Sequence, residues 1–218
     1  IVTSSDGSSW SSMTSGTSNY LEGVTYGNST FVTVGRNGTI LTSSDGTTWT
    51  SKTSGTSNRF WGITFGNSIF VAVGDSGTIV TSSDGSSWSL RTSSTSGQLY
   101  GVTYGNSTFV AVDGSTLVTS SDGTSWTERT YGSSTYQGGV SYGNSTFVVV
   151  GEPGVIYTSS DGTSWTSKNI GSSPRLSGIT FGNSTFVAVG DSGTIVTSSN
   201  VSSWSSATSG TAISLLGV

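Results

Sequence analysis

The sequence predicts an all-β chain that folds as a β-propeller of four-stranded antiparallel blades, repeating about every 39 residues. Two observations carry this. Trp10, Trp49, Trp88, Trp126, Trp165 and Trp204 are spaced 39, 39, 38, 39 and 39 apart. Between them run β-branched and aromatic segments bounded by Gly, Asn or Asp, and no apolar pattern persists at helical spacing. Six blades are expected, with seven as the alternative.

The register outweighs composition. With 32 Gly, 31% hydrophobic and 8% charged residues, the chain could pass for a linker. A disordered chain has no packing reason to hold six tryptophans in step, whereas stacked repeats must each offer the same surface to a neighbour.

The second unit shows the elements in order. Trp61 to Phe65 reads as a first strand, Gly66-Asn67-Ser68 as a tight turn and Ile69 to Val73 as a second strand. Gly74-Asp75-Ser76-Gly77 is a second turn, Thr78 to Ser82 a third strand, and Asp84-Gly85 turns the chain into a fourth strand around Trp88. Phe31, Phe70, Phe109, Phe147 and Phe186 occupy one face of the second strand, and Val32, Val71, Val110, Val148 and Val187 the other. Two apolar faces suit a sheet sandwiched between neighbours, and radial stacking also hides sheet edges. The chain divides into a partial blade at 1–19, full blades at 20–58, 59–97, 98–135, 136–174 and 175–213, and the start of a further blade at 214–218. The expectation is of a propeller fragment or a ring completed by further residues.

Charge and residue types exclude several functions. A net charge of −4, with seven scattered Lys and Arg, offers no phosphate-neutralising patch, so no nucleic-acid partner is expected. No apolar run has the length of a membrane helix. The absence of Cys and His removes thiolate ligands and imidazole catalysis; no cofactor or metal is expected. Many hydroxyls, few Lys and an acidic balance lean toward an extracellular or cell-surface setting.

A heptad-length motif repeats in register. Ser4-Ser5-Asp6-Gly7-Ser8-Ser9-Trp10 recurs around Asp45 and Trp49, Asp84 and Trp88, Asp122 and Trp126, and Asp161 and Trp165. The sixth copy is altered to Asn200-Val201 before Trp204. The motif resembles the Asp-box, or bacterial neuraminidase repeat, of the hairpin between third and fourth propeller strands. The wider repeat, GITFGNSIFVAVGDSGTIVTSSDG, is similar to the propellers of photosystem II assembly and stability factors and to repeats of bacterial surface proteins. In the turn, Asp accepts hydrogen bonds, Gly supplies a left-handed backbone and Trp fills space between layers, so these residues read as structural. The Asn200 copy is expected to be less well pinned, since Val resists positive φ.

Resemblance to sialidases would imply an arginine cluster, a tyrosine nucleophile and an acid aspartate. None is recognisable: Arg36, Arg59, Arg91, Arg129 and Arg175 never place three at one repeat position, and no carboxylate pair stands out. No catalytic residue is expected. Resemblance to the photosystem factors would imply docking of partners through a basic surface, which this Arg-poor chain lacks.

Positions that vary on a fixed frame are those free to be tuned for a partner. Ten residues after each Trp stand Tyr20, Arg59, Gln98, Tyr136, Arg175 and Ser214; two residues later stand Glu22, Trp61, Tyr100, Gly138, Ser177 and Leu216. Tyr20, Glu22, Arg59, Trp61, Gln98, Tyr100, Tyr136 and Arg175 are therefore the candidate ligand-binding residues, suited by aromatic and planar polar groups to a glycan or protein. The alternative for the same positions is drift in a solvent-facing loop. Arg36-Asn37, Asp75-Ser76, Asp113, Glu152-Pro153 and Asp191-Ser192, in the turn between second and third strands, read as solvated surface. Asn28, Asn106, Asn144 and Asn183 begin Asn-Ser-Thr acceptor patterns whose side chains are expected to point to solvent, although Asn67 keeps the turn without the pattern. A binding module, a structural spacer and, third, a sialidase-like hydrolase are the functional classes carried forward.

Overall fold

Each repeat forms one antiparallel sheet because its β-branched runs are separated by residues that accept a left-handed backbone. In a computed structural model, which describes residues 1–131, 137–170 and 174–218, Asn28-Ser29, Asn67-Ser68, Asn106-Ser107, Asn144-Ser145 and Asn183-Ser184 all have φ between 44° and 62°. Two consecutive positive-φ residues make the tight hairpin turn whose twist matches that of the strands.

An N-terminal hairpin, Val2–Thr3 with Ser11–Ser12, is followed by five four-stranded sheets. Sheet I comprises Leu21–Gly27, Thr30–Gly35, Ile40–Ser43 and Thr50–Lys52; sheet II comprises Phe60–Gly66, Ile69–Gly74, Ile79–Ser82 and Ser89–Arg91. Sheet III is Gly101–Gly105, Thr108–Val112, Thr116–Ser120 and Thr127–Thr130, and sheet IV is Gln137–Gly143, Thr146–Gly151, Val155–Ser159 and Thr166–Asn169. Sheet V is Leu176–Gly182, Thr185–Gly190, Ile195–Ser198 and Ser205–Ala207. Strands pair in sequence order within every sheet, and the first strands of successive sheets touch one another, so the sheets fan out from a common centre. Five sheets arranged this way, with the N-terminal hairpin as a sixth, are a β-propeller and are consistent with six blades. The fourth strands start after the tryptophans, at Ser89 rather than around Trp88, because Trp88 still belongs to the turn.

Packing follows the two-faced second strand. Phe70 lies with Val32 and Val34 of the preceding sheet, whereas Val71 lies with Phe109 of the next. The same pairing joins Val110 to Phe147 and Val148 to Phe186. From sheet II onward, the ring of each first strand covers a glycine of the sheet before it. A Cβ on Gly27 would sit 2.1 Å from the Phe65 ring, and one on Gly66, Gly105 or Gly143 would meet Tyr104, Tyr142 or Phe181 as closely. These contacts are the nearest-neighbour interfaces that hold a repeat array together.

The Ser-x-Asp-Gly-x-x-Trp hairpins are self-contained. In the second copy Thr47 and Thr48 N–H groups donate to Asp45 Oδ1 at 2.8 and 2.9 Å, Ser43 Oγ donates to the same oxygen, and Trp49 Nε1 donates to the Gly46 carbonyl at 3.1 Å. The Ser9 and then the Ser8 backbone N–H hold the Asp6 carboxyl down at about 2, and the same pattern depresses Asp45, Asp84, Asp122 and Asp161. In the altered copy Val201 adopts φ 55°, so the turn is kept despite its side chain. Its bonds to Asn200 Oδ1 lengthen to 3.0 and 3.1 Å, and Trp204 Nε1 is buried without a partner. The tryptophans are less deeply inserted than expected: Trp126 is 6% exposed, Trp10 60%, and the other four are half-buried lids.

The acceptor-pattern asparagines are exposed, as expected, and three of them also reach the next sheet. Asn28, Asn67, Asn106 and Asn144 each turn Nδ2 toward a carbonyl of the next sheet's hairpin, at Ser83, Ser121, Ser160 and Ser199, over 3.0 to 3.5 Å. Asn67, which lacks the acceptor pattern, makes the same contact, so the amide serves the turn and the sheet interface.

Candidate binding rim

The end of the fan opposite these hairpins carries the start of each first strand and the turn between second and third strands. Two backbone features fix side chains there. The first strand contains an extra residue, between Leu21 and Gly23, Phe60 and Gly62, Gln137 and Gly139, and Leu176 and Gly178. A β-bulge re-aims the side chain it carries, and in sheets I and II that side chain is Glu22 or Trp61. Second, the N–H of Arg36, Asp75 and Asp191 donates to the carbonyl of Tyr20, Arg59 and Arg175, each at 2.9 Å. This close approach requires the glycine before it, since a Cβ on Gly74 would lie 2.0 Å from the Arg59 carbonyl oxygen.

Together these features assemble one connected arc over three sheets. Arg36 stacks its guanidinium 4.4 Å from the Tyr20 ring centre and reaches Glu22 at 3.5 Å. Arg59 Nη2 pairs with the same Glu22 carboxylate at 2.5 Å and lies 3.2 Å over the Trp61 ring. Trp61 Nε1 donates to Asp75 Oδ1 at 2.6 Å, and Gln98 Nε2 donates to that oxygen at 3.1 Å. Tyr100 Oη donates to Gln98 Oε1 at 2.8 Å, and its ring centre is 5.5 Å from that of Trp61. Cation–π and charge-assisted contacts of this kind fix long side chains that would otherwise be mobile.

Six of the eight expected ligand-binding residues therefore meet: Tyr20, Glu22, Arg59, Trp61, Gln98 and Tyr100. Arg175 opens sheet V, two sheets beyond the arc, and Tyr136 lies outside the described residues. The reading of the second-to-third turn as solvated surface is corrected at two positions, half-buried Asp75 and buried Asp113, while Arg36 is exposed as expected. Arg36 and Asp75 are members of the arc, and Asp113, 5% exposed, holds the Ser115 and Thr116 N–H groups and accepts from Thr95. Asn37, Ser76, Glu152, Pro153 and Ser192 are exposed. The signal for Asp75 was available in Val73-Gly74-Asp75, where glycine permits the carbonyl contact. The rim offers aromatic faces framed by donors and acceptors in fixed positions, the kit by which a shallow site orients a planar polar ligand.

Neither a protein-family model nor a curated protein matches the sequence. Solved structures do. A structure of YCF48 bound to D1 peptide is similar at 20% identity and a TM-score of 0.68, covering 87% of this chain and 66% of that one. YCF48 from Cyanidioschyzon merolae gives 18% identity and a TM-score of 0.66, covering 87% and 71%. The WD40 β-propeller domain of Doa1 gives 12% and 0.58, covering 92% and 86%. The chain thus spans just under two thirds of the first of these proteins, and at such identities the likeness concerns the fold. It is that of β-propellers.

Proposed function

We propose that this propeller is a non-enzymatic binding and scaffold module that holds a protein segment at the Tyr20–Tyr100 rim. The observation that carries the reading is the arc itself. The residues that vary on an otherwise constant repeat are those the bulges and Gly-mediated turns bring into one hydrogen-bonded surface. Exposed Tyr20 and half-buried Trp61 and Tyr100 supply apolar faces, with polar edges beside them to orient a peptide group. That a similar propeller has been described with a bound peptide supports a peptide-like occupant over a glycan. The two carboxylates of the arc are already engaged, Glu22 by two guanidiniums and Asp75 by Trp61 and Gln98, which speaks against a hydrolase site there. We read the five Asp-Gly hairpins as Asp-boxes in a structural role, and the composition as that of an extracellular or cell-surface protein.

Parallel peptide and glycan arrays, probed with the wild type and with Trp61→Ala, test this. The expected result is retained peptides whose signal is lost in the variant while its melting curve stays cooperative. Glycan retention alone would replace the ligand class. Ligands held equally by the variant would remove the rim, and no retained ligand on either array would favour the spacer reading.

A further inference from the structure

Within the arc, the side-chain bonds of Asp75 fall on one oxygen. Oδ1 accepts from Trp61 Nε1 at 2.6 Å and from Gln98 Nε2 at 3.1 Å. Oδ2 has no hydrogen-bond partner among the described residues and remains in contact with solvent. Both donors are uncharged, and among the described residues no Lys or Arg lies within ion-pair distance of this carboxylate. Arg59, the nearest cation in the chain of contacts, is paired with Glu22. Asp75 thus brings a formal negative charge to the interior of the array, between sheets II and III, with no cation against it.

The carboxylate is also held in place. The Asp75 N–H is tied to the Arg59 carbonyl at 2.9 Å, and Tyr100 Oη fixes Gln98 through Oε1 at 2.8 Å. The Trp61 and Tyr100 rings stand beside it with centres 5.5 Å apart, and Arg59 lies 3.2 Å over the Trp61 ring, so an aromatic face here already carries a cation. A fixed carboxylate next to aromatic rings suits a cationic side chain, whose charge meets the oxygen while its alkyl stem covers the rings. Sheet V shows the same aspartate without this setting. The Asp191 N–H bonds the Arg175 carbonyl at 2.9 Å in the equivalent turn, but Ser177 and Leu216 stand in the places of Trp61 and Tyr100, and Ser214 in that of Gln98. The turn therefore explains the aspartate in both repeats, and it does not explain the side chains gathered around Asp75.

The bonding distinguishes between the two cationic side chains of proteins. Arginine gains its advantage by pairing its planar fork with both oxygens of a carboxylate, and Oδ1 of Asp75 already accepts two bonds. A lysine ammonium is a compact point charge that needs only Oδ2. We propose that Asp75 is the specificity-determining anchor for a lysine side chain of the segment held at the rim, with the ammonium on Oδ2 and the stem against the Trp61 ring. The assignment rests on the reading of the rim as a peptide-binding surface and adds to it the residue that the surface selects.

The Trp61 indole N–H reports on this site directly, because Asp75 is its acceptor. Its resonance in a two-dimensional NMR spectrum, assigned by its absence in Trp61→Phe, is followed on titration with the blocked pentapeptide Gly-Ser-Lys-Ser-Gly. Peptides with arginine or norleucine in place of lysine are the controls, norleucine having the stem without the charge. The expected outcome is a saturable shift with the lysine peptide, a smaller affinity for the arginine peptide and no shift with norleucine. Asp75→Asn keeps an oxygen for Trp61 and Gln98, retains a cooperative melting curve, and binds the lysine peptide at least about tenfold more weakly. Added salt weakens the wild-type response, as it does for an ion pair open to solvent. No shift with lysine, an equal shift with norleucine, tighter binding of arginine, or an undiminished response in Asp75→Asn would each overturn the proposal. Its failure would leave peptide retention at the rim standing, whereas a lysine response with no peptide retained on an array would sustain the anchor and sink the reading of the rim as holding a longer segment.

Discussion

Replacing Trp126 by Ala separates a core tryptophan from a lid. All but 6% of the residue is covered, by a cluster that includes Val71, Val73, Ile79, Phe109 and Val118. Burying an aromatic of this size removes about 150–250 Å² from water, which at about 25 cal/mol per Å² gives about 4–6 kcal/mol. Alanine recovers about 1 kcal/mol of that, while losing the Nε1 bond to the Gly123 carbonyl costs a further ~1 kcal/mol. The expected loss is about 4–6 kcal/mol, overlapping the ~3–5 kcal/mol usual for an aromatic truncated in a packed core. Trp10 makes the same local bond to the Gly7 carbonyl but is 60% exposed, so Trp10→Ala should cost at most about 2 kcal/mol. Urea denaturation at equilibrium measures both, with an unchanged slope confirming that the midpoint reports stability. Equal shifts in the two variants would show that the tryptophans act only through their own turns, and would refute the sheet-to-sheet packing assigned to Trp126.

Three further outcomes follow from the turns. The Asp84 carboxyl is lowered to about 2, first by the Ser87 and then by the Ser86 backbone N–H. Because its folded value lies below the unfolded one near 3.9, its contribution is full above about pH 4 and is lost as pH falls toward 2. Thermal midpoints should therefore drop over that window, and less steeply in Asp84→Asn, which still offers an oxygen to both N–H groups. Val201→Gly should stabilise by about 1 kcal/mol, since a β-branched residue at φ 55° stores strain that glycine does not; a lower chemical-denaturation midpoint would contradict this. Asn106→Ala should cost about 1–2 kcal/mol through its φ of 44° and its 3.0 Å bond to the Ser160 carbonyl, and a midpoint like that of wild type would show the contact to be idle.

The architecture was legible because most of its determinants are local or repeat at one spacing. Asn-Ser turns, Asp-Gly hairpins and the Phe/Val alternation each have a reason within a few residues, and their recurrence implied stacked sheets. Errors arose where a residue's surroundings come from another part of the sheet. Trp88 looked like strand because it is aromatic, yet its Nε1 is tied back to Gly85 in the turn. Asp113 looked like a surface turn residue, but Gly97 stands where Asn58 stands one repeat earlier. A Cβ on Gly97 would lie 2.1 Å from the Asp113 carboxylate, which fills that space and accepts from Thr95. Two substitutions distant in sequence compensate each other, and neither is interpretable alone.

The rim shows the same division at finer grain. Variation at fixed repeat positions identified the residues, but six equivalent positions gave no reason for three to converge. The reason is directional. Long side chains reach back to the preceding sheet, Arg59 to Glu22 and Gln98 to Asp75, so the arc grows only while each sheet presents both a reaching residue and a receiving acceptor. At the bulge of sheet IV, Gly138 stands in the place of Glu22 and Trp61. A Cβ there would lie 2.8 Å from the Leu176 carbonyl oxygen of sheet V, closer than real side chains come. Backbone crowding between sheets IV and V thus bars a side chain from this position, and the crowding is invisible in the sequence because Gly138 and Leu176 belong to different blades. A side chain is admitted at the bulge only where the main chain leaves room, and variation among the repeats operates inside that limit.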